Sequence, residues 1–438
     1  MKVQKFGSAS IATVDKLKRV AEIVTKEQGN IVVLSSMRGT AEALSEISDY
    51  LYKKNQEGAI EIINKLEKQY IELVGSLFES ADIKSVAKEL VISKFDYIRT
   101  FTKDLFTLFE ERVVLAQGEL ISSELFHLYM QDKKVNAVLI PALEFMRTDK
   151  NSAPDPVYIK DKLSALLEEP KGADLYITQG YICRNAYGEI DDLRKGGSDF
   201  SASLIGVAVN AEEIQIWADV DTMQNNDSRY VEGTMPIRQL NFDEAAELAY
   251  FGTKILHPSS ILPAKLADIP VRLKNTEHPE AAGTLISNKT EENTIKAVGA
   301  RDNITAIKIK SGKMLLAHGF LRKVTEVFEN YQTSIDMLAT SEVGVSLTID
   351  NDKNLQAIVD DLKKYGTVSV TPDMVIVSVI GDLESADSGI SVDIMGAMKE
   401  IPVRMLSYGG SKYNFSFLIH KDDKVRTLQI LNKSLFKF

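Results

Sequence analysis

The opening residues MKVQKFGSAS (1–10) join a short apolar strand and a lysine to a loop of small residues, and a helix-like segment follows. A small-residue loop between a strand and a helix lets backbone N–H groups approach phosphate oxygens, and the helix N-terminus favours an anion there. Lys5 can add a positive charge beside a phosphate group. The G-x-x-x-x-G-K pattern of a P-loop is absent, so the stretch alone fits a solvated surface lysine better than a phosphate site.

Short apolar runs alternate with helix-like segments over about the first 275 residues. The runs are β-branched and apolar on both faces, which is typical of buried strands in a parallel sheet. Helix-like segments at 14–27, 111–130 and 242–251 lie between them, and we therefore expect a layered α/β sandwich. Helical spacing of apolar residues over about 45–110 predicts an α-helical insert. The strand-like runs are IVVLSS (31–36), VNAVLIP (135–141), DLYITQG (174–180), EIQIWADV (213–220) and IPVRLKN (269–275).

The pattern changes after the polar segment 278–297, which contains glycine and proline and is the best candidate for a domain boundary. From residue 304 onwards, strand-like and helix-like pieces recur after about 70 residues, which predicts two copies of a β-α-β-β-α-β unit. Such a duplicated α+β unit at the end of an enzyme can sense a small molecule, form a dimer, or do both. The predicted domains are 1–285, a linker at 286–300, and units at about 301–370 and 371–438.

The composition is that of an ordinary globular chain. The 438 residues are 44% hydrophobic and 26% charged, which fits two to four domains. The net charge of -10 argues weakly against nucleic acid as the main partner. Cys183 is the single cysteine, which fits a reducing compartment, and no apolar run reaches the roughly 20 residues that cross a bilayer. We therefore expect a cytoplasmic protein without a nucleic-acid or membrane partner.

A second stretch with phosphate-binding character is LRKGGSDFSASLIG (193–206). Two glycines and Ser198 precede an apolar helix here, and Ser198 is a suitable N-cap. The N-terminus of such a helix accepts an anion, although an ordinary capped turn has the same pattern. Two such sites in one α/β domain favour a phosphoryl-transfer cleft with two anionic ligands.

Further charged residues follow predicted strands or begin predicted helices. In WADVDTMQNNDSRYV (217–231), a buried strand ends at Asp219 and Asp221, and open α/β sheets bind ligands at this end of their strands. These carboxylates fit ribose or Mg²⁺ binding, and they fit a solvated turn equally well. Glu119 is expected to open a helix, where it can bind a substrate ammonium group or simply favour the helix N-terminus. The five histidines show no metal-binding spacing.

Taken together, these stretches resemble the aspartate kinases of the amino-acid kinase family. KFGSAS (5–10) is similar to the family's K-F-G-G-[ST]-S, and LRKGGSDFSA (193–202) to L-G-R-G-G-S-D-Y-[ST]-A. WADVD…NNDSR (217–229) is similar to W-T-D-V-D…T-D-P-R. The most specific match is FDEAAELAYFGTKILHP (242–258), which is similar to F-x-E-A-x-E-[ML]-A-x-F-G-A-K-V-L-H-P. The resemblance covers nearly the whole chain in order.

The resemblance implies that ATP, with Mg²⁺, phosphorylates the side-chain carboxylate of L-aspartate to 4-phospho-L-aspartate, the first step of lysine, threonine and methionine biosynthesis. Such a transfer needs charge neutralisation and in-line positioning more than acid–base chemistry. The implied roles fall into three groups. Lys5 and Asp199 are catalytic; Ser35, Glu119, Arg194, Lys195 and Ser198 bind the substrate; Gly7, Ser8, Asp219, Asp221, Arg229 and Lys254 bind the nucleotide.

The segment 314–350 is similar to the first ACT repeat of lysine-sensitive aspartate kinases. This resemblance implies feedback inhibition by lysine at the interface of a homodimer formed through the ACT domains. The carboxylates of Asp336 and Glu342 can pair with ammonium groups, which suits a dibasic ligand. The residues implied in inhibitor binding are Met314, Gly319, Phe320, Asp336, Ser341 and Glu342.

Several positions depart from the family pattern. Ser8 replaces a glycine, which requires a negative φ or a shifted loop. Lys195 replaces an arginine and so loses a bidentate fork, although Arg194 can supply charge from one position earlier. Two alternatives therefore stay open, a catalytically weakened paralogue that binds lysine and regulates, and a kinase for another amino-acid carboxylate. The other departures are Ala9, then Ala41 and Glu42 in the loop LSSMRGTAEAL (34–44), and Ile190-Asp191-Asp192 in place of T-T-T.

Overall fold

The computed structural model describes most of the chain, and four of the predicted site residues, Lys195, Asp221, Lys254 and Met314, lie outside the described residues. The chain divides into two compact units, Met1–Thr222 with Leu256–Asn288, and Met223–Ile255 with Lys289–Phe438. The domain limits expected from the sequence stay a prediction. The described residues are 1–103, 105–168, 172–194, 196–219, 223–251, 256–292, 294–311, 318–384 and 389–436.

The helices and strands have the following bounds. The strands are β1 Lys2–Phe6, β2 Asn30–Leu34, β3 Ala137–Leu139, β4 Leu175–Gln179, β5 Ile182–Arg184, β6 Ile190–Asp192, β7 Glu213–Ala218, β8 Gln239–Asn241, β9 Val271–Asn275, β10 Thr284–Ser287, β11 Ile295–Lys310, β12 Leu338–Ser341, β13 Gly344–Ile349, β14 Thr367–Gly381, β15 Met405–Tyr408 and β16 Asn414–His420. The α-helices are α1 Val14–Val24, α2 Thr40–Tyr52, α3 Gln56–Leu77, α4 Ala81–Thr100, α5 Leu108–Asp132, α6 Ala142–Phe145, α7 Pro156–Glu168, α8 Gly197–Ala208, α9 Phe242–Phe251, α10 Leu262–Leu266, α11 Phe320–Asn330, α12 Leu355–Leu362, α13 Ile390–Ala397 and α14 Lys424–Leu435. Short 3-10 helices cover Ser8–Ile11, Pro258–Ile261, Met398–Glu400 and Lys421–Asp423.

The first unit is built on a twisted sheet in which β1 is central. The strands of this unit follow the order β3-β4-β2-β1-β7-β9-β10. All neighbours from β3 to β9 are parallel, and β10 runs antiparallel to β9. Every residue of β2 is buried, as expected for a parallel strand covered on both faces. The expected α/β sandwich is therefore confirmed, and the carboxyl ends of β1, β2, β4 and β7 lie at one edge of the sheet.

The helical insert is confirmed, but it extends further than predicted. Helices α2, α3, α4 and α5 follow one another from Thr40 to Asp132, and they bury Leu44, Ile63 and Phe95 in a common core. Helix α5 begins at Leu108 because Thr107 and Glu110 form a capping box in front of it. The predicted helix at 111–130 is thus continuous with the insert.

The two ACT-like repeats share one antiparallel sheet of order β12-β13-β11-β14-β16-β15. The long strands β11 and β14 pair along most of their lengths, with register shifts between Arg301 and Ala306. The part of β11 after these shifts opens the first repeat. The part before them, 295–301, pairs with β14 beside the second repeat and supplies its fourth strand. Residues 295–300, which the sequence analysis assigned to the linker, are therefore strand.

Each repeat has its own hydrophobic core. Ile307, Val324 and Leu347 belong to the core of the first repeat, and Val298 and Phe417 to that of the second. Val298 lies in the strand segment that completes the second repeat, so this core depends on residues that precede the first repeat. Among the described residues, no helix is both long enough and apolar enough to span a membrane.

We expect Val298→Asp to destabilise the second unit by about 3 kcal/mol or more, because it buries a carboxyl group in an apolar core. Val343→Asp is the matched control, since Val343 is 56% exposed. Urea unfolding followed by circular dichroism should show a lower midpoint for the first variant only. Equal midpoints would contradict the role assigned to the 295–301 strand segment.

Candidate active site

Lys5 and Asp199 form an ion pair at the carboxyl end of the central strand β1. Lys5 Nζ lies 2.6 Å from Asp199 Oδ1, and the two side chains are 12% and 15% exposed. Asp199 lies in the first turn of α8, where the helix dipole stabilises a carboxylate. A Cβ atom at Gly7 would lie 3.3 Å from Lys5 Nζ, so a larger residue would crowd the ammonium group. The structure thus brings the two predicted catalytic residues together.

The loop after β1 accommodates Ser8 in place of the family's glycine. Ser8 opens a 3-10 helix that follows Gly7, which has φ -73°, and Ser8 itself is not among the residues with positive φ. The backbone N–H of Gly7 and the hydroxyl of Ser10 both donate to the carbonyl oxygen of Trp217, at 3.4 and 3.3 Å. The loop is therefore held against the end of β7, and the serine adds no backbone strain.

Ser35 and Ser198 meet where β2 ends. Ser35 Oγ donates to Ser198 Oγ at 2.9 Å, and both residues are buried. The prediction that Ser198 is the N-cap is wrong, because Gly196 holds that position with φ +104° and α8 begins at Gly197. A Cβ atom at Gly180 would lie 2.4 Å from the Cβ atom of Ser198, so glycine after β4 allows α8 to approach this closely.

Glu119 is a buried carboxylate next to the loop that follows β2. Its Oε1 atom accepts a hydrogen bond from the N–H of Ser36 at 3.3 Å. Burial raises the pKa of Glu119 to about 7, against the opposing effect of its hydrogen bonds. The prediction that Glu119 opens a helix is wrong, since it lies in the middle of α5. Its charge therefore gains little from the helix dipole and is suited to pairing with a ligand cation.

The loop after β2 is fixed by residues that the sequence analysis did not single out. Ser122 Oγ accepts from the N–H of Met37 at 3.0 Å, and the hydroxyls of Thr40 and Tyr70 lie 2.8 Å apart. Ser122 stands three residues after Glu119, so helical spacing could have identified it. Glu42, whose charge opposes an anionic substrate, is exposed in the first turn of α2. Solvent and the helix N-terminus both weaken that repulsion.

Of the residues predicted to bind the nucleotide, Asp221 and Lys254 lie outside the described part of the chain. Asp219 follows β7, and its Oδ2 atom lies 3.3 Å from Lys16 Nζ. Lys16 Nζ also donates to the carbonyl oxygen of Ala9 at 3.0 Å, which links α1 to both loops. Arg229 belongs to the second unit, where its guanidinium pairs with Asp227 at 2.7 Å and lowers the pKa of that carboxyl.

The predicted effector residues that are described belong to the first ACT-like repeat. Gly319, with φ +79°, is the N-cap of α11, and Phe320 is buried behind it. Ser341 and Glu342 are exposed at the turn between β12 and β13. Ser341 ends the edge strand β12 and Glu342 follows it, and a ligand or a second chain has access to such an edge.

Asp336 differs from the other effector residues because it is half-buried and already hydrogen-bonded. Its Oδ1 atom accepts from the hydroxyl of Tyr250 at 2.5 Å, and burial raises the pKa of Asp336. Its Oδ2 atom is buried and has no hydrogen-bond partner among the described residues. Asp336 and Tyr250 line a cleft of about 340 Å³ together with Glu247 and Asn414. Tyr250, on α9, was not identified from the sequence.

Comparisons with known proteins agree with this geometry. The model of the amino acid kinase family matches residues 1–275, and an ACT domain model matches residues 377–435. Lysine-sensitive aspartokinase 3 of Escherichia coli is 30% identical, over 99% of this chain and 99% of that protein.

Two solved structures of aspartokinase III from Escherichia coli cover all of this chain at 30% identity. The complex with lysine and aspartate, in the T-state, has a TM-score of 0.86. The complex with aspartate and ADP, in the R-state, has a TM-score of 0.82. A family model that matches more than half of the chain and a relative that matches almost all of it lead to one conclusion: the chain belongs to the amino acid kinase family and, within it, to the aspartokinases.

Proposed function

We propose that the chain transfers the γ-phosphoryl group of ATP to the side-chain carboxylate of L-aspartate, forming 4-phospho-L-aspartate and ADP. The Lys5–Asp199 ion pair is the observation that carries this proposal. The pair lies at the end of β1. The parallel strand β2 ends at the same edge of the sheet, and Ser36, which donates a hydrogen bond to Glu119, follows it. Escherichia coli aspartokinase III has been solved with aspartate and ADP, which supports the same pair of ligands here.

The reaction needs no proton abstraction from the acceptor. A side-chain oxygen of aspartate attacks the γ-phosphorus, the bond to the oxygen bridging the β- and γ-phosphates breaks, and that oxygen leaves with ADP. In the transition state, negative charge is spread over the equatorial oxygens of the transferred group, and Lys5 neutralises it. Asp199 orients the ammonium group of Lys5, and Glu119 binds the amino group of the substrate.

Mg²⁺ belongs to this proposal as the partner of the ATP phosphates. Among the described residues, no group of three metal-ligating side chains occurs. Mg²⁺ in nucleotide sites is commonly bound through phosphate oxygens and one or two carboxylates. Asp219 offers a carboxylate of this kind at the end of β7. Bound there, Mg²⁺ would neutralise phosphate charge and help to align the γ-phosphoryl group.

Feedback inhibition by lysine at the first ACT-like repeat is the second part of the proposal. The Escherichia coli relative is named lysine-sensitive and has been solved with lysine. In this chain, Asp336 and Glu342 supply carboxylates near the edge strand β12. Edge strands expose unpaired backbone groups, which supports a homodimer formed through this sheet. The cytoplasmic location stays a prediction.

We expect Lys5→Ala to lower kcat by roughly 10²- to 10³-fold, because it removes a preorganised positive charge from the transition state. The matched control is Lys2→Ala. Lys2 lies on the same strand but pairs with Glu27, 2.7 Å away. The rate of ADP release with Mg-ATP and L-aspartate measures the activity of both variants. Equal rates for Lys5→Ala and the parent chain would contradict the catalytic role.

The pH dependence of kcat/KM for aspartate should follow the ionisation of the Glu119 carboxyl group. Its pKa of about 7 means that the carboxylate is protonated at lower pH and ionised at higher pH. Only the ionised form pairs with an ammonium group, so kcat/KM for aspartate should rise from about pH 6 to about pH 8 and then level off. Glu119→Gln should lower kcat/KM and flatten this rise. An unchanged profile in that variant would reject the assignment.

Asp336→Ala should weaken inhibition by lysine without lowering the uninhibited rate, because it removes a carboxylate from the effector site and none from the kinase site. Asp373→Ala is the control. Asp373 is an exposed carboxylate of the same sheet that pairs with Lys421 at 2.9 Å. The lysine concentration that halves the rate should increase only for the first variant. The same value in both would exclude Asp336 from the effector site.

A further inference from the structure

A second buried ion pair joins the helix that carries Glu119 to strand β6, and the proposed chemistry gives this pair no role. Arg112 Nε lies 3.3 Å from Asp191 Oδ1, and the Asp191 side chain is only 5% exposed. Arg112 precedes Glu119 by seven residues, or about two turns, so both lie on one face of α5. Asp191 lies in β6, and Leu193 and Arg194 follow this strand.

Hydrogen bonds continue from Asp191 to the loop that is expected to receive the substrate. The N–H of Asp192 donates to Asp191 Oδ1 at 2.8 Å, and the N–H of Arg194 donates to Asp192 Oδ1 at 2.7 Å. Arg194 has φ +51°, a left-handed conformation that non-glycine residues seldom adopt. The Asp192 side chain stabilises this conformation by satisfying the backbone N–H.

Arg112 balances a charge that would otherwise be costly. A carboxylate as buried as Asp191 needs a cation or several hydrogen-bond donors. Its cross-strand neighbour in the β5–β6 hairpin is Cys183, a buried thiol without positive charge. Among the described residues, Arg112 is the cation within ion-pair distance of Asp191. The family's T-T-T has no negative charge at this position. In this chain, the charge of Asp191 is compensated by Arg112.

We propose that Arg112 and Asp191 are positioning residues for the acceptor substrate, an inference that rests on the proposed function. Helix α5 presents Glu119 to the amino group of the substrate. Through Arg112, the same helix also holds the hairpin that leads to Arg194. The ion pair thus sets the spacing between Glu119, which receives the ammonium group, and Arg194, which receives a carboxylate. Preorganising Arg194 offsets the loss of the family's bidentate arginine at position 195.

Steady-state kinetics of the full chain test this inference with Arg112→Gln, Asp191→Asn and the double variant. Asparagine at 191 keeps the oxygen that accepts from Asp192 and removes only the charge. Each single change should raise KM for aspartate roughly tenfold and leave KM for ATP unchanged, because misplacement affects one substrate. The KM for aspartate of the double variant should be no higher than that of the more impaired single variant, since both changes remove the same interaction. Arg112→Lys should recover part of the loss.

The matched control is Lys94→Gln, which breaks an ion pair to Glu124 on the same helix α5. Its Nζ–Oε1 distance is 2.7 Å; Lys94 is as exposed as Arg112, at 21%, and Glu124 is 22% exposed. Lys94→Gln should change the melting temperature without changing KM for aspartate. Unchanged KM in an active Arg112→Gln or Asp191→Asn variant, or equal increases for both substrates, would overturn the inference alone. An inactive parent chain would contradict the proposed function, and this inference with it.

Discussion

The ion pair between Lys5 and Asp199 is the interaction on which the proposed kinase site depends. It joins the central strand β1 to the first turn of α8, and little solvent reaches either side chain. In such surroundings a charge is costly unless it is paired, so the pair fixes both groups before any substrate arrives. Gly7 leaves room beside the ammonium group, and Gly180 allows α8 to approach the sheet. The site is therefore preorganised by the packing of the sheet.

The balance of charge explains how this chain tolerates departures from its family. Two anionic substrates must meet in a protein whose net charge is -10. Asp191 is neutralised by Arg112, and Glu42 lies in solvent at a helix N-terminus. Glu119 is the exception, because its burial raises its pKa and its proposed role is to receive a positive charge. Of the added acidic groups, Asp191 is thus paired and Glu42 is screened by solvent.

The sequence predicted the strands, the helical insert and the repeats because hydrophobic periodicity reports directly on burial. It also predicted that Lys5 and Asp199 belong to one site, through the loops that follow β1 and precede α8. It misplaced the start of α5 because the capping box at Thr107 lies outside the matched motif. It did not find Tyr250, Arg112 or the role of 295–301, because those contacts join residues far apart in the chain. A contact between residues that are distant in the sequence produces no local sequence pattern from which it could be predicted.

The central claim is that this chain makes an acyl phosphate on aspartate. The most direct measurement is to incubate the full chain with Mg-ATP and L-aspartate in the presence of hydroxylamine, and to quantify aspartate β-hydroxamate and ADP together. The account predicts equal amounts of both products, dependent on aspartate and suppressed by lysine. No hydroxamate, with lysine still raising the melting temperature, would contradict the claim and indicate a regulatory lysine-binding protein. Hydroxamate formed only from another amino acid would instead indicate a kinase for a different carboxylate.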